Sequence, residues 1–502
     1  MLDGMNTQKG AGRLAVYVSV GCVLLFAGAA LGGGTQPAEG EIKVTRNFAA
    51  ELNASVLAMK EEDRAWPVYR DEMEPLRAEI GELDLATIRV PSDPRWGEAR
   101  ALVKKHAAAL EKVRRASELP RLGYLLQDVP DPVVAELAAK RLGEEFDNGA
   151  GSENPVLMSV QFSYLSTARV LANMLAVDAC VALDEGDKAR LADDLLSMVR
   201  AAAHMRENAV QLGDLTSCAM LGYCVGVVNE TLDSKPDLLT SESLREVGDA
   251  LREFPAGESG ERIRARTDYQ RLVLLDALQR VYSDDGNGVG KLMAESIPLL
   301  DELAGQADEN GGPGRLEKLL AEAPPFATMF WERQATRKET VDEFDRLMRE
   351  SQWAKPMWEW DKPRGEAEPL KSQQQMWRLK YTVLAIMMPA VERAGQLAEI
   401  VTQRRDAACA AVAVELFRRA EKRWPTSWAE LVPAYLKEAP KDRFTGKALG
   451  FAEREGRPVI YSFGDDRDDD KGEFGKGAGV WTPPGEAKNE GDWVFWPPAV
   501  GR

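Results

Sequence analysis

Histidine is nearly missing: His106 and His204 are the only two among 502 residues. That excludes a histidine-rich metal centre. No His-Glu-x-x-His, Gly-x-Ser-x-Gly or Gly-Lys-Ser/Thr sequence is present to support a zinc hydrolase, a serine hydrolase or a P-loop. His204, in Ala-Ala-Ala-His-Met-Arg, is expected at a helix C-terminus, where the dipole favours its charged form. Cysteine is scarce as well. Cys22, Cys180, Cys218, Cys224 and Cys409 are odd in number and widely spaced, which argues against a disulfide framework. Cys218 and Cys224 fall on one predicted helix, about 120° apart around its axis and about 9 Å along it, too far to bridge. They read as core thiols. Positive charge is in deficit, with 64 basic against 81 acidic residues and a net charge of -17. Such a chain is poorly suited to bare nucleic acid or an anionic lipid face, because neutralising phosphates needs a basic surface. Cations and basic partners suit it better.

One long apolar run is present. Leu14 to Leu31 (LAVYVSVGCVLLFAGAAL) carries no charge, follows Lys9 and Arg13, and precedes three glycines, Gly32 to Gly34. At about 1.5 Å per residue this length just crosses a bilayer, and the basic flank predicts a cytoplasmic N-terminus. The expectation is a single-pass inner-membrane anchor with the bulk of the chain on the periplasmic or outer side. The alternative is secretion after cleavage at the small-residue site Ala27-Gly28-Ala29. Cys22 is not read as a lipid attachment site, since Ser19 stands where a lipobox needs a large aliphatic residue.

Beyond a linker, the expected fold is mainly α. It comprises the N-terminal transmembrane helix, an antiparallel helical-hairpin body and a small C-terminal α+β domain. The 44% hydrophobic content is that of a globular protein. The expected segments are 1–36, 37–150, 151–310, 311–405 and 406–502. Apolar residues recur at helical spacing over Tyr164 to Leu183, then Asp184-Glu185-Gly186-Asp187 predicts a turn with Asp187 as N-cap. Helices carrying Leu191, Leu195 and Val199, and then Leu215 to Leu232, follow with short connections, which implies antiparallel pairs. No fixed repeat period is found. Trp353, Trp358 and Trp360 sit among charges, either as a partner surface or as aromatics packed over a helix end.

Two acidic loops are candidate metal sites. Asp284 to Ser296 (DDGNGVGKLMAES) lies between two predicted helices, Tyr269 to Tyr282 and Lys291 to Leu303, as an EF-hand loop would. With Asp285 first, Asn287 falls third and Gly290 sixth, whereas Val289 replaces the fifth-position ligand and Glu295 arrives one residue early. Asp285 and Asn287 are therefore candidate calcium ligands, the alternative being a plain Asn-Gly turn. Gly286, Gly288 and Gly290 do not make a phosphate loop, since no strand precedes them.

The second loop closes a longer pattern. A helix predicted from Asp406 to Arg423 runs into Trp424-Pro425, then Leu431-Val432-Pro433-Ala434-Tyr435-Leu436 and Pro440-Lys441-Asp442-Arg443-Phe444-Thr445-Gly446. Strands are predicted at Gly450 to Glu453 and Pro458 to Phe463, followed by an Asp-rich loop over Gly464 to Gly472. This order resembles the C-terminal half of the major pseudopilin of type II secretion systems, over about a fifth of the chain. The resemblance implies a long helix on a small antiparallel sheet and a calcium-binding loop, with Asp466, Asp468, Asp469, Asp470 and Asp492 as ligands. A solvated acidic loop is the competing reading. The sequence departs from that family in lacking a prepilin N-terminus, in Lys422-Arg423 where a glycine precedes the aromatic-Pro pair, and in Arg443 for a usual proline. The stretches Arg169-Val170-Leu171-Ala172 and Leu275-Asp276-Ala277-Leu278, with the loop that follows, are similar to exported proteins typical of planctomycetes.

The expected function is a non-enzymatic, envelope-exposed scaffold or adaptor with a calcium-stabilised interaction domain and protein partners. One alternative is an accessory component of a type II secretion or pilus-like system. Another is a carboxylate-dependent envelope hydrolase, since 81 acidic residues hide any dyad from inspection. Glu61-Glu62 and Asp193-Asp194 are pairs by sequence only, because adjacent helical residues point about 100° apart.

Overall fold

The computed structural model describes residues 40–127, 133, 134, 136, 152–160, 162–207, 211–254, 268–305, 313–350, 356–359, 371–387, 391–475 and 491–498. The apolar run at Leu14 to Leu31, with Cys22 and the cleavage site, lies outside them, as do Trp353 and Trp360. Within them the chain is mainly helical with one small three-stranded sheet. The helices are α1 Phe48–Leu57, α2 Ala65–Met73, α3 Arg77–Leu83, α4 Trp96–Lys105, α5 Ala107–Ser117, α6 Tyr164–Glu185, α7 Lys188–His204, α8 Gln211–Ser234 and α9 Ser241–Glu253. After them come α10 Asp268–Val281, α11 Ile297–Leu303, α12 Arg315–Glu322, α13 Pro324–Arg333, α14 Arg337–Glu350, α15 Lys371–Lys380, α16 Thr382–Met387, α17 Val391–Glu421 and α18 Trp428–Leu431. The strands are β1 Gly450–Arg454, β2 Arg457–Ser462 and β3 Trp493–Trp496.

The chain divides into two compact units, each assembled from separated stretches. One holds the described parts of Met1–Arg46, Val273–Arg346 and Gly365–Pro389, and the other those of Asn47–Leu272, Leu347–Arg364 and Ala390–Arg502. These divisions do not follow the boundaries expected at 150, 310 and 405. At 405 the reason is α17, which begins at Val391, well before the expected start at Asp406.

The turn read at 184–187 forms as expected. Gly186 takes a left-handed φ of 75° at the end of α6, and Asp187 accepts a hydrogen bond from the Arg190 amide at 3.2 Å, capping α7. α6 packs against α7 and α8 on one side and α2 and α4 on the other. Residues 170–183 are consequently buried without a break. That enclosure explains why α6 and Leu212–Ser234 are apolar and long enough to cross a membrane by composition alone, although 83% and 56% of their apolar windows lie inside the protein.

α17 occupies the same kind of position. It packs on α8 and α9, and also on β2 and β3, so residues 407–417 are buried on every face. The sheet runs β1-β2-β3, antiparallel throughout. Glu455 and Gly456 both have positive φ, at 54° and 76°, which makes the two-residue β1–β2 turn that matches strand twist. At the C-terminal end of α17, Lys422 adopts φ 58° where the helix stops. This is the position at which glycine is favoured, because a Cβ crowds the left-handed conformation. Lys422 is exposed and donates its amide to the Arg418 carbonyl at 2.9 Å, so the lysine is tolerated but strained. Lys422→Gly is expected to raise stability by about 1 kcal/mol, read as a higher urea midpoint at unchanged slope.

Candidate functional site in the C-terminal acidic loop

The loop after β2 turns through residues that adopt positive φ at Gly464, Arg467, Lys471 and Gly472, which folds successive aspartates back on one another. Asp466, Asp468 and Asp470 each present an oxygen, and these oxygens lie within 4.8 Å of one another. Among the described residues no other group of three His, Cys, Asp or Glu side chains converges in this way. Oxygen-only donors at this spacing match a hard cation such as calcium better than zinc or copper.

The strand that closes the sheet is preceded by a further carboxylate, outside the converging triplet but close enough to feel the charge of Asp466 and Asp470. Asp492, just before β3, is fully buried, and its Oδ2 accepts the Gly472 amide at 2.7 Å. Its own amide donates to the Glu473 carbonyl at 2.8 Å. Asp466 Oδ2 accepts the Gly491 amide at 3.0 Å, so the two ends of the loop are pinned together. A side chain at Gly491 would place its Cβ 2.2 Å from the Gly475 nitrogen, so this close approach requires glycine. The remaining oxygens, Asp466 Oδ1 and Asp492 Oδ1, are buried without a hydrogen-bond partner among the described residues. Buried carboxylate oxygens are ordinarily satisfied, so one unmet oxygen within the acidic triplet and another on Asp492 fit a cation.

The electrostatics agree. Burial, then the neighbouring Asp468, pushes Asp466 up to about 6. Burial pushes Asp492 up to about 7, opposed by the Gly472 amide and reinforced by Asp469, Asp470 and Asp466. Mutual repulsion of this kind is what a bound cation relieves. Asp469 has a different job: its Oδ1 accepts the Tyr461 hydroxyl at 2.9 Å and the Lys471 amide at 3.0 Å, which holds the loop against β2. Asp465, buried beside Asp466, escaped the sequence reading.

The EF-hand-like loop is organised otherwise. Asp285 and Asn287 are exposed, and Asp285 Oδ1 accepts the amides of Asn287 and Val289 at 3.0 and 3.2 Å. The Lys291 carbonyl, which a calcium loop gives to the ion at its seventh position, instead accepts the Ser283 amide at 2.9 Å. The Gly290 and Gly288 carbonyls accept the amides of Arg337 and Lys338, both at 2.9 Å, and so cap the start of α14. No third acidic side chain joins Asp285 among the described residues. The loop is built as a turn and a cap.

Other candidates are placed as follows. His204 ends α7 as expected, but it is buried between the Tyr69 hydroxyl, 3.0 Å from Nδ1, and the Leu119 carbonyl, 2.8 Å from Nε2. The carbonyl can only accept, so Nε2 carries the proton and Nδ1 accepts from Tyr69. Burial lowers its pKa, which corrects the expectation of a dipole-stabilised cation. His106 contacts Glu79 at 3.1 Å. Cys180, Cys218, Cys224 and Cys409 are buried free thiols, pushed up to about 11 for Cys180 and about 12 for the others by burial. Trp358 packs against Gly446 and under the Arg443 guanidinium, 5.6 Å from its ring centre.

Of the sequence-adjacent acid pairs, Asp193 is exposed while Asp194 is fully buried. The carboxylates that do converge, Asp178 of α6 and Asp194 of α7, were missed. Both contact Arg114 of α5, at 2.8 Å in the case of Asp194. With 4% and 0% of their surface exposed, they are closed to a substrate. An open groove of about 390 Å³ between α2 and α5 contains Asp71 and Glu72, each paired to a cation, Arg70 at 2.8 Å and Lys112 at 2.5 Å. Comparison of the chain with family models, curated proteins and solved structures finds no match.

Proposed function

We propose that this chain is a non-enzymatic scaffold of the cell envelope, anchored by its N-terminal segment, whose C-terminal α+β module is a calcium-stabilised docking element for a protein partner. The observation that carries the calcium reading is the convergence of Asp466, Asp468 and Asp470 beside the unmet, buried oxygen of Asp492. The long helix α17 lying on a small antiparallel sheet, followed by an acidic loop, supports the resemblance to the major pseudopilin. It also supports the related reading of an accessory role in a secretion or pilus-like system. The role assigned to the metal is structural, since it would join the loop ends at Asp466 and Asp492 and so hold β3 in place.

Melting the detergent-solubilised full chain in calcium and in chelator tests the metal. A calcium concentration 100 times the dissociation constant should stabilise by about 2.7 kcal/mol, and the Asp468→Asn and Asp492→Asn variants should lose most of that gain. Identical melting curves for the wild type would remove calcium from the proposal. The docking part is tested by crosslinking the full chain in its native membranes. An adduct that forms in calcium and weakens in chelator is expected, and the absence of any adduct in either condition would overturn it.

A further inference from the structure

The expected membrane segment ends at Leu31, and residues 32–40 can span at most about 30 Å. Where the chain enters the described structure it is tightly held. The Glu41 carbonyl accepts the Asp284 amide at 3.0 Å, and the amides of Thr45 and Arg46 donate to Gln279 Oε1 at 3.2 and 3.1 Å. Asp284 opens the loop whose glycine carbonyls cap α14 at Arg337 and Lys338. Two residues before that helix, the Ala335 amide donates to the Lys380 carbonyl at 2.9 Å, joining the end of α13 to the end of α15. Backbone hydrogen bonds and short connections within one compact unit therefore link the ends of α13 and α15 to the point of attachment.

On and beside these helices several large apolar side chains are only partly buried. Leu316, Leu319 and Leu320 of α12, with Phe326, Met329 and Trp331 of α13, are all partly open to solvent, and Phe330 alone is buried. On and after α15, Met376, Trp377 and Tyr381 are likewise partly open. The Trp377 indole nitrogen donates to Glu343 Oε1 at 2.7 Å and the ring lies 5.6 Å from Tyr381, so an aromatic body is held with a polar tip. Charge follows the same division. α13 and α15 together carry four basic residues and one acidic one, in a chain whose net charge is -17. Amphipathic tryptophan and tyrosine with flanking lysine and arginine are the side chains that settle at the headgroup level of a bilayer.

We propose that α13 and α15 lie against the surface of the membrane that the N-terminal segment enters, forming a second, peripheral contact that fixes the orientation of their unit. This rests on the anchored reading. The overall acidity of the chain opposes an anionic surface, but the attraction is local, decaying over about 8–10 Å, and Arg333 and Arg378 are exposed, while Lys380 is paired with Glu339 at 3.3 Å.

The test uses the full chain, with Cys22→Ser to remove the one thiol outside the described core, reconstituted in vesicles of phosphatidylcholine and phosphatidylglycerol. A spin label is attached at Thr328→Cys, on the side of α13 opposite Phe330, or at Glu242→Cys on α9 as an aqueous reference. The four buried thiols stay protonated and unlabelled near neutral pH. Flotation with the vesicles and a ratio of oxygen to aqueous-reagent collision several-fold higher at 328 than at 242 is the expected result. Trp331→Glu should return the label at 328 to the aqueous value with an unchanged far-ultraviolet spectrum. Failure to float would overturn the anchor and this inference together. Flotation with a fully aqueous label at 328, or with one that neither reagent reaches, would overturn this inference alone, the second by showing that protein covers α13.

Discussion

Arg114→Leu should cost about 3–5 kcal/mol of stability at neutral pH and much less in mildly acidic buffer. Arg114 reaches from α5 between α6 and α7, where its Nε donates to Asp194 at 2.8 Å and its terminal nitrogen contacts Asp178. The next cation, Arg190, is farther off, with its Nε 3.8 Å from Asp178, and Glu111 stands 3.6 Å from Arg114 on the solvent side. One close guanidinium thus serves two buried carboxyls. Burial raises the pKa of Asp178, and burial followed by the charge of Asp178 raises that of Asp194 well above the ordinary range. Arg114 itself is raised, its partners outweighing its own burial, as expected of a cation held by excess negative charge.

The sign of the pH dependence follows from those directions. A carboxyl whose folded pKa exceeds its unfolded value binds its proton more tightly in the folded state, so its contribution is full in acid and declines as pH rises through the folded pKa. The wild type should therefore lose stability gradually above the ordinary carboxylate range, and Arg114→Leu should lose it faster because the cation that offsets the charge has gone. Asp194→Asn fixes the neutral form in place and should flatten the profile. Urea titrations across a pH series measure all three. Equal stability of Arg114→Leu in acid and at neutrality would show that the carboxyls are not coupled through the arginine.

This cluster also marks where sequence reading stops. The hairpins were legible because their signals are local: Gly186 and Asp187 stop one helix and start the next within two residues. Asp178 and Asp194 are separated by that turn, and nothing in their neighbours says that the two helices bring them together. The acidic loop at 464–472 was legible in part, since a density of aspartates near a β-turn is visible in the chain. The division of labour between Asp468 as a candidate ligand and Asp469 as a tether to Tyr461 is set by backbone φ values that the letters do not reveal. β3 went unread as a strand, although Trp493-Val494-Phe495-Trp496 has the aromatic and β-branched composition that favours one. Its four residues are too short for alternation to show. The acidic loop at 284–296 was seen as an EF-hand because ligand spacing is a sequence property, whereas the use of its carbonyls to cap α14 depends on a helix more than forty residues later.

A fragment spanning 406–502, the segment the sequence suggested as a separate domain, should fail to fold alone. The reason is α17. Its small residues Ala407, Ala408, Ala410, Ala411 and Ala413 allow neighbours to approach on every side, and all are buried. Facing α9, Val412 packs so closely on Gly248 that a Cβ there would lie 2.9 Å from its Cγ1. Cys409 Sγ contacts the Gly248 carbonyl at 3.8 Å, and Arg405, buried, donates to the Phe254 carbonyl. At its other end Arg419 donates to the Leu239 carbonyl at 2.8 Å while holding Glu415, which is fully buried, at the same distance. The sheet is fastened to the body too, through Arg457 to Asp233 at 3.0 Å and Asn229 to the Phe495 carbonyl at 3.3 Å. Excision would expose the α8- and α9-facing side of α17 at roughly 1.5–3 kcal/mol for each large apolar side chain, and would leave Arg419 without its Leu239 carbonyl partner. A domain whose stability is of order 5–15 kcal/mol does not absorb several such losses. The expected observation is a broad, non-cooperative thermal profile for the fragment, with or without calcium, beside a sigmoidal one for the full chain. A cooperative melt of the fragment alone would mean that one face of α17 suffices, and would restore the tail as an independent domain.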